Sequence, residues 1–389
     1  MAERLADPSS AIETVIIGGG ISGLACARTL HAAGRPFVLV TDRLGGRMHH
    51  SEDGTMNFGA VYITADYHHV ARYVGRGQPI RFSGIHAQTS NGAIGLWHWR
   101  NLRYSLPLAR LALRLRQFRH DGLAFQKAAG HVAPHILASR YPRFDRYRRQ
   151  PAEELAKELR LGGLHSDYLR LVFQATCFAD PVHANALLYL GALLPLIVPA
   201  WAADFRCTYD KLTRGIGDNI LLDRVQGVGR RPSGTWEVRT AAGRTLQANN
   251  VVLAVPAHNL AALYPVPFSG HTVPATVLYV RGQRRPHCQK RFLLLPPAET
   301  GLAMLWRRRC GADQVISMTA RPDLEAVYHK PKVVESVSWK TALVLSSGDW
   351  APMVLEPGLY IVGDLNVPGL EASFLTGMCA AHQIIREGY

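Results

Sequence analysis

Between residues 14 and 42 the chain reads TVIIGGGISGLACARTLHAAGRPFVLVTD, and no other stretch limits the fold as tightly. A β-branched run that ends in glycine reads as a buried parallel strand. Ile21, Leu24, Ala25 and Leu30 then recur at helical spacing, Gly34 closes that helix, and PFVLVTD supplies a second strand. Gly18, Gly20 and Gly23 therefore fall on a strand–turn–helix junction. There the first glycine makes the tight turn, the second admits a pyrophosphate and the third lets helix and strand pack closely. Ile21 and Ser22 open the helix, whose N-terminus favours phosphate. An acidic residue ordinarily ends the second strand and binds ribose hydroxyls. Thr41 holds that place here with Asp42 beside it, and Asp42 from a shifted register is the preferred ribose partner.

A chain of 389 residues suffices for two or more domains, and 48% hydrophobic with 19% charged residues describes a globular protein with a sizeable core. The formal charge of +15 calls for nucleic acid, an anionic membrane surface or an acidic substrate. Six scattered cysteines without a CxxC pair argue against zinc and against a disulfide framework. The opening MAERLADPSSAIETV has no apolar core of a signal peptide, so a reducing, cytoplasmic setting is expected. The apolar run Ala186 to Ala203 approaches spanning length, but Pro195 and Pro199 interrupt it, which favours a buried or interfacial segment.

The residues after the second strand, LGGRMHHSEDGTMNFGAVYITADY, carry a resemblance, as do TWEVRTAAGRTLQANNVVLAVPAHNL and GLYIVGDLNVPGLEASFLTGMCAAHQI. In that order they resemble three blocks of the FAD-dependent oxidoreductases of the amine oxidase, phytoene desaturase and protoporphyrinogen oxidase superfamily. The first block is most similar to the renalase-like branch. The resemblance implies an α/β fold: a Rossmann-like FAD-binding domain of the glutathione-reductase type with an interleaved α+β substrate domain. It implies non-covalent FAD rather than NAD, since VLSSGDW lacks the cysteine of a covalent attachment motif. Arg47 is implied against the diphosphate, with Gly45 and Gly46 letting the backbone pass close; Gly59, Ala60 and Val61 would lie under the isoalloxazine ring. Asn57, where Asp is common, would fix the loop. Asp364, after Gly363, would bind the ribityl chain, Val225 would meet the adenine, and the helix opened by Glu371, Ala372 and Ser373 would point at the flavin.

Cofactor-domain segments are expected at 1–75, 205–275 and 340–389, with a substrate domain from 76–204 and 276–339. Within the latter, SLPLARLALRLRQFRHDG reads as a helix capped by Ser105, with Leu108, Leu111, Ala112, Leu115 and Phe118 on one face, Arg110, Arg114 and Gln117 on the opposite one, and Leu113 on the wrong side. SRYPRFDRYRRQ interleaves five arginines with Tyr141, Phe144 and Tyr147; without a nucleic-acid motif, a solvated or membrane-facing patch is preferred and nucleic acid is not expected.

Amine oxidases of the superfamily carry a lysine on a substrate-domain strand and an aromatic cage residue before the C-terminal block. The matching strand PATVLYVRGQ has no lysine, Lys290 and Lys340 lie outside it, and the cage position falls near Gly369. The short loop GDLNVPGLEAS instead resembles that of desaturases and related dehydrogenases of lipophilic substrates, which implies a desaturase or dehydrogenase of a lipophilic small molecule whose apolar tunnel the 186–203 stretch would line. An amine oxidase is the alternative, then a renalase-like oxidation of a nicotinamide-type substrate, then a flavin-binding protein without catalysis. Tyr62 and Phe374 are the candidate aromatic walls; no catalytic base is identified. The pairs His49–His50 and His68–His69 lack a converging third ligand, so no metal is expected. The basic stretches suggest peripheral contact with an anionic membrane. Oligomeric state stays open.

Overall fold

The computed structural model describes residues 12–89, 92–266, 270–345 and 348–387. β1 (Ile12–Gly19), α1 (Ile21–Ala32) and β2 (Phe37–Leu44) form the expected βαβ unit, with Val15 opposite Val38 and Ile17 opposite Val40 in a parallel pair. Val15 to Ile17 and Phe37 to Val40 are buried throughout, which is why they read as unbroken apolar runs. β3 (Thr245–Leu253) pairs with β1 from the other side, and the sheet order is Val354–Glu356, Leu359–Ile361, β3, β1, β2, Ile220–Leu222. A hairpin of Val225–Arg230 and Trp236–Thr240 extends from β3. The C-terminal helix, Leu370–Glu387, packs on α1 so closely that a Cβ on Gly377 would meet the Ser22 carbonyl at 2.0 Å.

The second sheet has seven strands. Its spine is the antiparallel pair β4 (His271–Arg284) and β5 (Tyr328–Leu345). Asp313–Ser317, Leu302–Arg307, Phe292–Leu294, Ile85–Thr89 and Gly92–Gly95 follow in order. Both spine strands cross the boundaries expected from sequence, because β4 begins five residues before 276 and β5 runs on to Leu345. A helical layer shares one core with this sheet; it includes α2 (Ser105–Ala129), α3 (Arg170–Cys177) and α4 (Ala186–Leu193). Ser105 does not cap α2: Tyr104 precedes the first turn, and its hydroxyl donates to Asp167 at 2.5 Å.

The apolar run from Ala186 breaks at its prolines into α4, a 3-10 turn over Leu194–Leu196 and the strand Ala200–Asp204. Among the described residues no helix is long and apolar enough to cross a membrane. That strand pairs with Tyr62–Thr64, tying the helical layer to the loop after β2. The arginine-rich stretch 139–150 becomes two short helices whose Phe144 and Tyr147 are buried against Phe118 and Phe125. Arg148 is buried as well, donating to the carbonyls of Asp349 and Asn366, while Arg143, Arg146 and Arg149 pair with Asp121, Glu158 and Asp145. Phe144 and Tyr147, which base stacking would need, are inside.

Candidate functional site

A cavity of about 920 Å³ opens along the end of β1 and continues between the second sheet and the helical layer. At its floor the chain must turn from strand into helix. Gly18 does so at φ +110°, where a Cβ would sit 2.5 Å from the Ala254 carbonyl oxygen. A Cβ on Gly23 would lie 2.0 Å from the Gly18 oxygen, so only glycine lets α1 lie on β1. Gly20 has no protein atom within 4 Å of its missing side chain, and that bare position faces the cavity. The first turn of α1 carries no acidic residue. Arg43, Arg47, Arg224 and Lys340 stand on the same lining. Bare backbone at a helix N-terminus with cations around it suits a dinucleotide pyrophosphate.

The GGR segment folds directly over this floor. Gly45 N–H donates to the Gly19 carbonyl at 2.8 Å, and a Cβ on Gly46 would lie 3.2 Å from Gly20 Cα. Arg47 then meets Asp364 in a two-pronged ion pair at 2.6 and 2.7 Å. Burial opposes ionisation of that carboxyl, but the Arg47 charge and hydrogen bonds outweigh it and hold Asp364 below the usual carboxylate range. Asn57 pins the next turn: its side chain accepts from Gly59 N–H at 2.8 Å and donates to the carbonyls of Ala60 and Ala203.

Every residue assigned to the cofactor from sequence lies on this lining except Gly23, which is inside α1 on its face against β1. Several have other commitments. The Thr41 hydroxyl accepts from Gly19 N–H at 2.9 Å and donates to the Arg43 carbonyl at 2.6 Å, so it holds the turn. Asp42 sits exposed at the rim, 3.6 Å from Arg224 and near Val225 on the lining. The Glu371 carboxylate is taken up by the backbone N–H groups of His68, His69 and Val70 at 2.8–3.0 Å. It therefore orders that turn, and it is Ala372, Ser373 and the free end of the helix that meet the cavity.

The continuation of the cavity is apolar. Phe118, Leu123 and Phe125 from α2, Phe178 at the end of α3, and Leu187, Leu188 and Ala192 from α4 line it, with Leu343, Val367 and Leu375 opposite. Asp66 is the carboxylate in this region, and Arg119 holds it bidentately at 2.8 Å. Tyr62 lines the cavity as expected, and burial raises its hydroxyl pKa well above the ordinary value, so it stays protonated. A smaller cavity of about 50 Å³ lies behind it, walled by Val61, Phe82, Val172 and Met304.

Phe374 is a correction. It points away from the cavity and stacks on Tyr73 and His69 at 5.6 and 6.1 Å, because on a helix the position next to Ser373 faces the core. Three lining residues were missed from sequence. The Tyr67 hydroxyl lies 3.4 Å from where a Gly369 side chain would start, filling from a distant loop the place left without an aromatic. Phe178 holds a left-handed conformation at φ 59°, uncommon for a bulky residue and concentrated at functional sites. Lys340 reaches the lining on β5, the partner of the strand in which a lysine was sought.

A family model for flavin-containing amine oxidoreductases matches residues 21–278. A search of curated protein sequences gave no match. Among solved structures, putrescine oxidase bound to putrescine superposes with a TM-score of 0.65 at 14% identity, covering 97% of this chain and 99% of that one. The CLA-producing fatty acid isomerase from P. acnes superposes at 0.69 with 13% identity and the same coverage. These likenesses establish the fold.

Proposed function

The chain belongs to the flavin-containing amine oxidoreductases and is an FAD-dependent oxidoreductase; we propose that within that family it oxidises an apolar small molecule, as a desaturase or dehydrogenase. Bound FAD supplies a hydride acceptor at its ring nitrogen N5. In this reading the N-terminus of α1, with Gly18, Gly20 and Ser22, receives the pyrophosphate, and Asp42 at the rim takes the ribose end. Arg47 and Asp364 hold the middle of the cofactor. Gly59 to Val61 and the N-terminus of the C-terminal helix orient its ring, the helix dipole favouring negative charge there. The first sheet is then the cofactor domain, and the second sheet with the helical layer is the substrate domain.

The observation that carries the substrate class is the apolar continuation of the cavity, whose carboxylate Asp66 is already neutralised by Arg119. A cationic amine entering it would lose water without gaining a free counter-charge. Tyr62 and the helices α2 and α4 exclude water and fix the substrate, which is most of what removing a hydride from an activated carbon requires. Non-covalent attachment is supported by Cys177, the cysteine on the lining, whose thiol burial keeps protonated. Six unpaired cysteines and a charge of +15 fit a reducing cytoplasm and peripheral contact with an anionic surface.

Acid denaturation of the purified yellow protein is expected to release FAD into solution, whereas a flavin that stays with the precipitate overturns the non-covalent reading. An amine oxidase is the second reading, favoured by Lys340 on the lining and by Tyr67 beside Gly369. Hydrogen peroxide release with a panel of primary amines would establish it in place of the first.

A further inference from the structure

Leu113 stands on the wrong face of an otherwise amphipathic helix, and the structure shows what that face is. Leu106, Ala109 and Leu113 form an exposed stripe along the first half of α2. It continues backwards into the turn before the helix, where Trp97, Trp99 and Leu102 are 68%, 70% and 73% exposed. Leu106 and Leu113 are 59% and 65% exposed. Five large apolar side chains within one short stretch make a patch that a soluble surface rarely leaves uncovered.

The charge around it is one-sided. No Asp or Glu occurs between Asp66 and Asp121, while nine arginines do. Three of them, Arg103, Arg114 and Arg119, are paired with Asp167, Glu158 and Asp66. Arg100, Arg110 and Arg116 have no acidic partner among the described residues. A second copy of the chain is a poor cover for such a face, since a two-fold interface sets the patch against itself and brings arginine onto arginine. Nucleic acid would satisfy the arginines but not the three leucines. An anionic bilayer satisfies both: tryptophan favours the headgroup boundary, leucine the acyl chains beneath and arginine the phosphates.

We propose that segment 97–113 is an interfacial anchor that lays the protein on the surface of an anionic phospholipid bilayer. The anchor shares its helix with the cavity: Phe118, Gly122 and Phe125 line the cavity about one to three turns beyond Leu113. Arg119, exposed and paired with Asp66, follows Phe118 on that lining. The anchor thus orients the cavity toward the phase in which an apolar substrate is concentrated; in that purpose, though not in its geometry, it rests on the apolar-substrate reading.

The test is co-sedimentation of the holoprotein with vesicles of phosphatidylcholine, with and without phosphatidylglycerol. The wild type is expected to bind the anionic vesicles. The exposed-site variant Trp97→Ser/Trp99→Ser/Leu102→Ser is expected to lose about tenfold or more in partitioning at the same salt, because its apolar contact area is gone. Tryptophan emission shifts to the blue on vesicle addition in the wild type only. Equal binding by the variant overturns the anchor. So does absence of binding by the wild type, or a wild-type dimer that the variant dissolves while neither protein binds vesicles. Flavin content and anaerobic flavin reduction, measured on both proteins without lipid, report separately on the oxidation reading.

Discussion

Gly20 and Gly23 lie three residues apart and do different work, which a pair of alanine substitutions separates. At Gly20 the backbone is extended and nothing in the protein touches the vacant position, so Gly20→Ala is expected to leave the apoprotein within about 0.5 kcal/mol of wild type. Its methyl group enters the pyrophosphate space, and FAD affinity is expected to fall tenfold or more, about 1.4 kcal/mol. Gly23→Ala drives a methyl into the Gly18 carbonyl and is expected to destabilise apo and holo forms alike by about 1–3 kcal/mol. Chemical denaturation with and without FAD distinguishes the two. Asp364 gives a pH test. Its carboxyl is held below the usual range, so its contribution is fully present above the unfolded value of about 3.9 and disappears as pH falls through the folded one. Asp364→Asn removes that contribution at every pH and flattens the acid limb of FAD retention, followed by flavin fluorescence. Gly18 and Gly23 were legible in the sequence because backbone geometry admits no substitute there, and Gly20 because its spacing from them marks the phosphate turn. The commitments of Thr41 and Glu371 were not, because each is made to backbone N–H groups whose position depends on the folded loop.

Helix α3 shows what an element hides from sequence reading. Its apolar spacing predicts a helix, but nothing in the string TCFADP announces that Phe178 ends it in a left-handed turn on the cavity wall. Phe178→Ala keeps the backbone strain and loses the packing, whereas Phe178→Gly loses the packing and relieves about 1 kcal/mol of strain. The alanine variant is therefore expected to melt lower than the glycine variant; the reverse order contradicts the strain argument. At the far end of β4, Arg284 and Asp313 form a fully buried pair at 2.7 Å, with Tyr328 donating to the same carboxylate at 2.9 Å. Asp313→Ala leaves a buried guanidinium uncompensated and is expected to cost about 3–5 kcal/mol in denaturant titration. The strands TVIIGGG, PFVLVTD and PATVLYVRGQ were readable from their apolar runs and flanking glycines. Strand partners were not, because β4 and β5 are joined by residues more than forty positions apart, and this is how Lys340 came onto the lining unseen.

On the scale of the molecule, burial pushes His49, His86, His131, His135 and His258 below the ordinary histidine range. The folded state then binds fewer protons than the unfolded chain, so stability is full above the unfolded value of about 6.5 and falls as pH drops from there. Melting temperature is expected to rise from about pH 5 to pH 7, in the sense set by that proton difference. A melting temperature that is level or falls over this range contradicts it. The architecture was legible because three sequence blocks from distant parts of the chain meet at one cavity, and only the resemblance linked them beforehand. The substrate walls were less so, since their aromatic and leucine side chains come from helices whose inward faces are set by packing against the second sheet. In the proposed reaction this cavity passes electrons from an apolar substrate to FAD. The most direct test is the flavin absorbance of the anaerobic holoprotein on addition of apolar candidates and, separately, of primary amines. Bleaching by an apolar candidate and none by the amines is expected; bleaching by amines alone overturns the apolar-substrate reading.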